Sequence, residues 1–282
     1  AALSLTACAP SSSQGGGGDA AGSSSAGEST SSGSGESLRI GIKFDQPGLG
    51  YREGSAQPTG FDTDVARYVA DKLGVAEKDI DWVQTPSANR ENALENGEVD
   101  MIFATYSITD ARKERVAFAG PYFVAGQDLL VRADEEEITG PDSLDGKNLC
   151  SVTGSTSAQK IKDEYSQGVN LVEQGGYAEC VTYLESGQVD AVTTDDIILA
   201  GLAAADANKG KFKVVGNTFT TERYGVGLPK DSERCEDINE AIKEMKDSGE
   251  WKKALESNTE GTGYTYDETL NSGEDAEFEP CA

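Results

Sequence analysis

The sequence predicts an α/β protein of two similar lobes, joined by a two-strand hinge across a ligand cleft. Strand-like segments alternate with helix-like ones from residue 38 onward, the order expected of parallel βαβ units. A seven-residue phrase occurs twice, LENGEVD at 94–100 and LESGQVD at 184–190, each time closing a helix at glycine and opening an apolar strand. Two further strand-like stretches, 126–137 and 221–231, leave the first lobe and return to it.

The elements follow in order. SLRIGIKF is an alternating strand; a Gly/Pro loop then leads to GFDTDVARYVADKLG, whose Phe61, Val65, Tyr68, Val69 and Leu73 form one helical face stopped by Gly74. DIDWVQ is a second strand, ANRENALENG a short helix ending at Gly97, and VDMIFAT a third strand. GQDLLVRADEEE leaves the lobe. NLCSVT is a strand before the helix SAQKIKDEY, and VDAVTTDD repeats the third strand of the first lobe. KFKVVG and TERYGVGLPKD are strands, and DINEAIKEMKDSGEWKKALES reads as one helix with Ile238, Ile242, Met245 and Trp251 on its apolar side. The organisation expected is 1–8, a signal-peptide remnant; 9–37, a Ser/Gly-rich linker; 38–127, the first part of lobe 1; 128–222, lobe 2; and 223–282, the second part of lobe 1 with the C-terminal tail.

Composition excludes several functions. Fifty acidic residues against 24 basic ones leave a net charge of −26, which disfavours nucleic acid and anionic membrane surfaces. The chain has no histidine, so a His-based triad, a His metal site and imidazole acid–base chemistry are out of reach. Residues 9–37 offer nothing to bury and read as a flexible tether. Before them, Leu5-Thr6-Ala7-Cys8 resembles a bacterial lipobox, which makes Cys8 the expected lipid attachment site and membrane contact a matter of that lipid alone. The other cysteines, Cys150, Cys180, Cys235 and Cys281, form an even set with three possible pairings. Cys150–Cys180 and Cys235–Cys281 keep each bridge within one expected lobe, and the second would fasten the acidic tail NSGEDAEFEP. No CxxC spacing and no GxxxxGK[ST] loop is present, so neither a metal, a nucleotide nor any other cofactor is expected.

The chemistry concentrates in FATYSITDARKERV, 103–116. Hydroxyl side chains, a Thr-Asp helix start and an arginine suit a small anion. At this point the chain resembles the solute-binding proteins of bacterial amino-acid ABC transporters, family 3, over residues 38 to about 260. The segments that carry the resemblance are GFDTDVA, VDMIFATYSITDARKERVAFAGPYF, GSTSA and VDAVTTDD. Within that group Lys43 and Asn89-Arg90 make it similar to the binders of acidic amino acids. The resemblance implies the type II periplasmic-binding-protein fold, with two Rossmann-like lobes, mixed sheets and a ligand cleft between them. It further implies a monomeric receptor that is not an enzyme, sits outside the cytoplasmic membrane, and hands its amino acid to a membrane permease.

The resemblance places Arg112 on the ligand α-carboxylate, where a guanidinium binds in a fork, with Thr105 and Ser107 orienting the same group. Ser155 and Thr156, after Gly154, are a second clamp from lobe 2 or a plain helix cap. Asp195 accepts hydrogen bonds from the ammonium, with Asp196 the competing carboxylate. A second, side-chain carboxylate needs its own cations, for which Lys43, Arg90 and Ser87 are the candidates, with Tyr177 added from family position. Lys113 and Arg115 are expected in solvent. The first loop departs from relatives that stack the ligand on aromatics: it holds Phe44 and Tyr51 in an unusual Pro/Gly spacing, and Gln46 and Gly48 can bring backbone near a ligand. L-glutamate is the expected ligand; aspartate, glutamine and asparagine remain open. A sensing component of a receptor and a dehydratase-like enzyme are the other readings. The enzyme would need Asp195 or Lys43 as its acid or base.

Overall fold

The computed structural model describes residues 37–165 and 168–281. Cys8 and most of the tether lie outside the described residues. The strands are β1 (Leu38–Ile42), β2 (Asp45–Gln46), β3 (Gly50–Tyr51), β4 (Ile80–Gln84), β5 (Met101–Phe103), β6 (Ala117–Ala125), β7 (Gln127–Arg132), β8 (Asn148–Val152), β9 (Asn170–Gln174), β10 (Ala191–Asp195), β11 (Phe212–Val214) and β12 (Glu222–Leu228). The helices are α1 (Phe61–Lys72), α2 (Arg90–Glu95), α3 (Asp110–Lys113), α4 (Thr156–Lys160), α5 (Tyr177–Glu185), α6 (Asp196–Ala204), α7 (Cys235–Asp247), α8 (Glu250–Thr259) and α9 (Glu268–Ser272).

Two five-stranded mixed sheets result, ordered β4-β1-β5-β12-β6 and β11-β7-β10-β8-β9. In the first, β1 runs parallel to β4 and β5, while β12 is antiparallel to β5 and β6. In the second, β8 runs parallel to β9 and β10, while β7 is antiparallel to β10 and β11. Taken from opposite edges, the two sheets match strand for strand, β4 with β9, β1 with β8, β5 with β10, β12 with β7 and β6 with β11. The strand in the fourth place of each sheet follows a crossing from the other sheet: β7 follows β6 through Gly126, and β12 follows β11. This exchange is the two-strand hinge.

The repeated phrase explains why the lobes match. Gly97 and Gly187 have φ of 66° and 76°, a left-handed turn that stops α2 and α5 and that glycine adopts without steric cost. Asp100 then pins the start of β1: its N–H donates to Arg39 O and its carboxylate accepts from Arg39 N, both at 2.8 Å. Asp190 does the same for β8, donating to Asn148 O at 2.7 Å and accepting from Asn148 N at 2.8 Å.

Phe61, Tyr122, Phe123, Tyr224 and Trp251 pack as an aromatic cluster in the first lobe, with Phe61 ring centroids 5.7 Å from both Phe123 and Trp251. Both expected disulfides are present, Cys150–Cys180 between β8 and α5 and Cys235–Cys281 between α7 and the tail. The expected single helix after β12 is instead two, α7 and α8, because Gly249 takes φ of 82° and turns the chain between them. The helix expected over SAQKIKDEY is α4 for one turn and then a wider π turn over Ile161–Tyr165.

The tail is held by more than its disulfide. The Asn271 side chain accepts from Val124 N at 2.8 Å and donates to Val124 O at 2.9 Å, beside the hinge. Arg223 in β12 donates to Asp275 O and Glu277 O at 2.8 and 2.6 Å, and Glu279 N donates to Gly120 O at 2.7 Å. The tail therefore straps both β6 and β12. Among the described residues no helix is long and apolar enough to cross a membrane.

Candidate ligand-binding site

The loops at the ends of β1, β4, β5, β8 and β10 meet where the two lobes face each other. Open α/β sheets place ligands at such strand ends. The side chains gathered there are charged and yet buried: Lys43, Arg90, Arg112, Asp62, Asp195 and Glu222 are each at most 9% exposed.

Lys43 follows β1, and its Nζ donates to Ser87 Oγ at 2.7 Å, so these two expected residues form a pair. Burial, followed by repulsion from Arg90, lowers the Lys43 ammonium to about 7. Arg90 opens α2 and turns inward. Its Nη1 donates to Ala104 O at 2.9 Å and Thr105 O at 3.3 Å, its Nη2 reaches Gly154 O across the cleft at 3.5 Å, and its Nε has no partner among the described residues. Burial and then Arg112 pull the Arg90 guanidinium down to about 10.

Arg112 is held on three sides. Nη1 donates to Ser107 O at 2.6 Å, Nη2 to Gly154 O at 3.0 Å, and Nε lies 3.3 Å from Glu91 Oε1. One N–H on each terminal nitrogen remains without a partner among the described residues. Arg112 thus avoids Asp110 and Glu114, the surface partners its sequence neighbourhood offers. Lys113 pairs with Asp110 at 2.9 Å and Arg115 with Glu95 at 2.5 Å, both partly exposed as expected. One element of the sequence reading needs correction. Helix α3 has four residues, too few for a substantial macrodipole, so the anion-binding capacity expected of this segment reduces to the guanidinium.

The hydroxyls make a chain across the cleft. Thr156 Oγ1 donates to Glu222 Oε2 at 2.8 Å, which leaves Ser107 as donor in its 3.4 Å contact with Thr156. Ser155 caps α4, its Oγ accepting from Ala158 N at 2.9 Å. Thr105 sits at φ of 44°, a strained value for a β-branched residue. Its N–H donates to Asp62 at 2.9 Å, and its hydroxyl lies 3.3 Å from Gln46 Oε1. Gly154 has φ of 79°, and a Cβ there would come within 2.7 Å of Ala88 Cα in the opposite lobe. The lobes therefore touch backbone to backbone beside the two arginines.

On the lobe 2 side, Asp195 ends β10 as expected. Its Oδ2 accepts from Tyr224 Oη at 2.5 Å, and its Oδ1 has no partner among the described residues. Burial, with Glu222 next, raises this carboxyl well above the ordinary range. Asp196 faces away from the cation cluster: its Oδ1 accepts from Ile197 N at 2.7 Å and lies 3.5 Å from Tyr264 Oη. Tyr177 is buried at the start of α5. Its Oη accepts from Thr194 at 2.7 Å, and its N–H donates at 2.9 Å to Asp45 of the first lobe. Tyr51 is 37% exposed on the β2–β3 ribbon, away from the buried charges.

Sequence reasoning missed Glu222, Asp62 and Gly154 O as parts of the site. Glu222 lies at the hinge entry to β12 and carries no local signal. Asp62 was visible as the third residue of GFDTDVA, an acid on the buried side of a helix start.

Residues 38–260, which contain this arrangement, match the family described as bacterial extracellular solute-binding proteins, family 3. A glutamate-binding protein, GluB, of Corynebacterium efficiens is 47% identical over 233 residues, covering 79% of this chain and 78% of that protein. A glutamine-binding protein of Geobacillus stearothermophilus is 38% identical over 196 residues, covering 69% and 73%. The solved structure of an ancestral arginine-binding protein bound to glutamine superposes with a TM-score of 0.72 at 35% identity, over 78% of this chain and 96% of that one. Family match, overall identity and the shared two-lobed architecture agree, and the chain belongs to the bacterial extracellular solute-binding proteins, family 3.

Proposed function

We propose that the protein captures L-glutamate outside the cytoplasmic membrane and delivers it to the permease of an ABC importer, without chemical turnover. The observation that carries this reading is the charge layout. Lobe 1 buries three cations, Lys43, Arg90 and Arg112, opposite a buried Asp195 with an unpartnered oxygen. A ligand with two carboxylates and one ammonium complements that layout. Buried charges of this kind are costly until paired, so the ligand supplies what the lobes need in order to close.

In this reading Arg112 grips the α-carboxylate with its two remaining N–H groups, assisted by Thr105, Ser107, Ser155 and Thr156. Asp195, with Glu222 behind it, receives the ammonium. Lys43, steadied by Ser87, and Arg90 through its Nε meet the side-chain carboxylate, with Tyr177 closing the lobe 2 wall. Lipidation at Cys8 would tether this monomeric receptor to the membrane. A glutamine ligand is the second reading, supported by the glutamine-binding relative.

Calorimetric titration with glutamate, aspartate, glutamine and asparagine tests the proposal. Glutamate should bind tightest, and Arg112→Ala should lose most of that affinity. A protein that binds glutamine more tightly than glutamate, or an Arg112→Ala variant with unchanged glutamate affinity, sinks the assignment.

A further inference from the structure

We propose that Tyr106 is a positioning residue for both arginines, one aromatic ring that holds two like-charged guanidiniums and so couples the α-carboxylate grip to the acidic-side-chain pocket. The inference rests on the ligand reading above but reaches a residue which that reading does not use.

The Cζ atoms of Arg90 and Arg112 lie 4.2 and 5.0 Å from the centroid of the Tyr106 ring. The ring is fully buried. Two guanidiniums this close repel each other. The negative face of a ring attracts both and does so most strongly where water is absent. Glu91, 3.3 Å from Arg112 Nε, offsets part of that repulsion, but a carboxylate does so by occupying an N–H group that an anionic ligand would use. A ring attracts the charge and leaves the in-plane donors available.

The ring is also clamped. A Cβ on Gly227 would come within 2.6 Å of Tyr106 Cε1, so β12 can approach this closely only with glycine there. Phe118 packs edge-on at 4.8 Å between centroids. The backbone is tied to the same strand, since Gly225 N donates to Tyr106 O at 2.9 Å and Ile108 N to Arg223 O at 2.8 Å. The Tyr106 hydroxyl makes no hydrogen bond of good geometry among the described residues, its neighbour there being the Glu91 carboxylate, and it is the ring that faces the arginines.

The test keeps shape constant and changes only the charge of the ring face. Position 106 is occupied by phenylalanine and by its mono-, di- and trifluorinated analogues, introduced by amber suppression in the full chain. Tyr106→Phe should bind glutamate within about twofold of the starting protein. Successive fluorines should weaken glutamate binding stepwise, to about tenfold for the trifluorinated ring. Glutamine should lose less, because it has no second carboxylate for Arg90. In ligand-free protein the Hε resonances of Arg90 and Arg112 should show an upfield ring-current displacement that Tyr106→Phe keeps and Tyr106→Leu loses. Affinity that ignores fluorination, or glutamate and glutamine weakening in equal measure, overturns the proposal. So does a Tyr106→Phe variant as impaired as Tyr106→Leu. If the starting protein binds neither amino acid, the ligand reading has failed, and the resonances alone decide whether the ring holds the arginines.

Discussion

The two lobes are built alike and charged oppositely. Strand β5 runs into Ala104-Thr105 and its counterpart β10 into Thr194-Asp195, each four or more residues beyond the same glycine and the same aspartate clamp. At the first of these ends Thr105 adopts φ of 44° and the chain loops on to Arg112; at the second, Asp195 leads straight into α6. The other strand ends differ in the same sense. Counted from the clamped residues Arg39 and Asn148, Lys43 stands where β8 has Val152, and Arg90 sits in α2 at the place of Cys180 in α5. The lesson is a division of labour. A repeated scaffold sets where side chains emerge, and substitution at a few matched positions makes one wall cationic and the other anionic. Under the proposed function, a ligand of mixed charge then has a reason to bring the walls together.

That division can be broken from either side. The largest effect should come from Asp195→Asn, which keeps the shape but removes the counter-charge proposed for the ligand ammonium. We expect ligand binding to weaken by about 3–5 kcal/mol, the usual consequence of leaving a buried charge without its partner. The ligand-free variant should nonetheless melt higher at pH 7. Burial raises the Asp195 carboxyl, so its contribution to stability is present below the ordinary carboxylate range and is lost as the pH rises. Paired calorimetry and thermal unfolding check both halves, and a variant that is both unstable and non-binding would refute the account.

Next in size are the bridges, one in each lobe, closing sequence separations of 30 and 46 residues. Replacing the cysteines of either pair by serine should cost about 2–5 kcal/mol in chemical denaturation. If the tail acts only as a strap, loss of Cys235–Cys281 leaves the charged cleft unaltered and glutamate affinity within about threefold. A larger change would tie the tail to the site itself.

A smaller and more selective effect is expected from Lys43→Met. Glutamate should lose about 1.5–3 kcal/mol, the range for hydrogen bonds to charged groups, with glutamine little affected. The lowering of Lys43 to about 7 reflects burial and repulsion from Arg90 on α2 and Arg112 on α3, opposed by Asp45 in β2 and Asp62 in α1. The ammonium is therefore partly neutral above pH 7 without ligand, and glutamate affinity should fall as pH rises from 7 to 9. The unfolded side chain keeps its proton to about pH 10, so ligand-free stability should rise over the same interval. Titrations across that range should show both slopes; Lys43→Met should remove the affinity slope and reduce the stability slope to the part due to Lys246, which burial lowers to about 8.

The smallest effect tests the sameness of the lobes. Asp100→Ala and Asp190→Ala remove equivalent clamps on β1 and β8, and each should cost about 1–2 kcal/mol. Unequal losses would show that one lobe depends on its clamp more than the other.

Much of this was legible in order along the chain. The alternating strands, the two glycine-stopped helices and the two aspartates lie within short stretches whose periodicity and turn residues are local properties. The place of Asp195 was legible too, at a strand end marked by its repeat, and that of Arg112 at the Thr-Asp helix start that follows β5. Gly249 shows where local pattern falls short: a glycine within an otherwise helical pattern is compatible with one continuous helix, yet here it turns the chain. The tail also looked loose because its anchors, Val124, Gly120 and Arg223, are distant in sequence.

By itself, then, the sequence determined the two-lobed α/β architecture and the positions from which charge could enter a cleft, because these follow from local pattern and from a repeat; it favoured one of three cysteine pairings, which the structure contains. Only the tertiary structure decided which charges meet. It brought Glu222 behind Asp195, placed Gly154 O between two arginines, and set both arginines on Tyr106, whose close approach requires Gly227. These contacts join strands from different parts of the chain through side-chain volume and electrostatics, and no local periodicity carries that information.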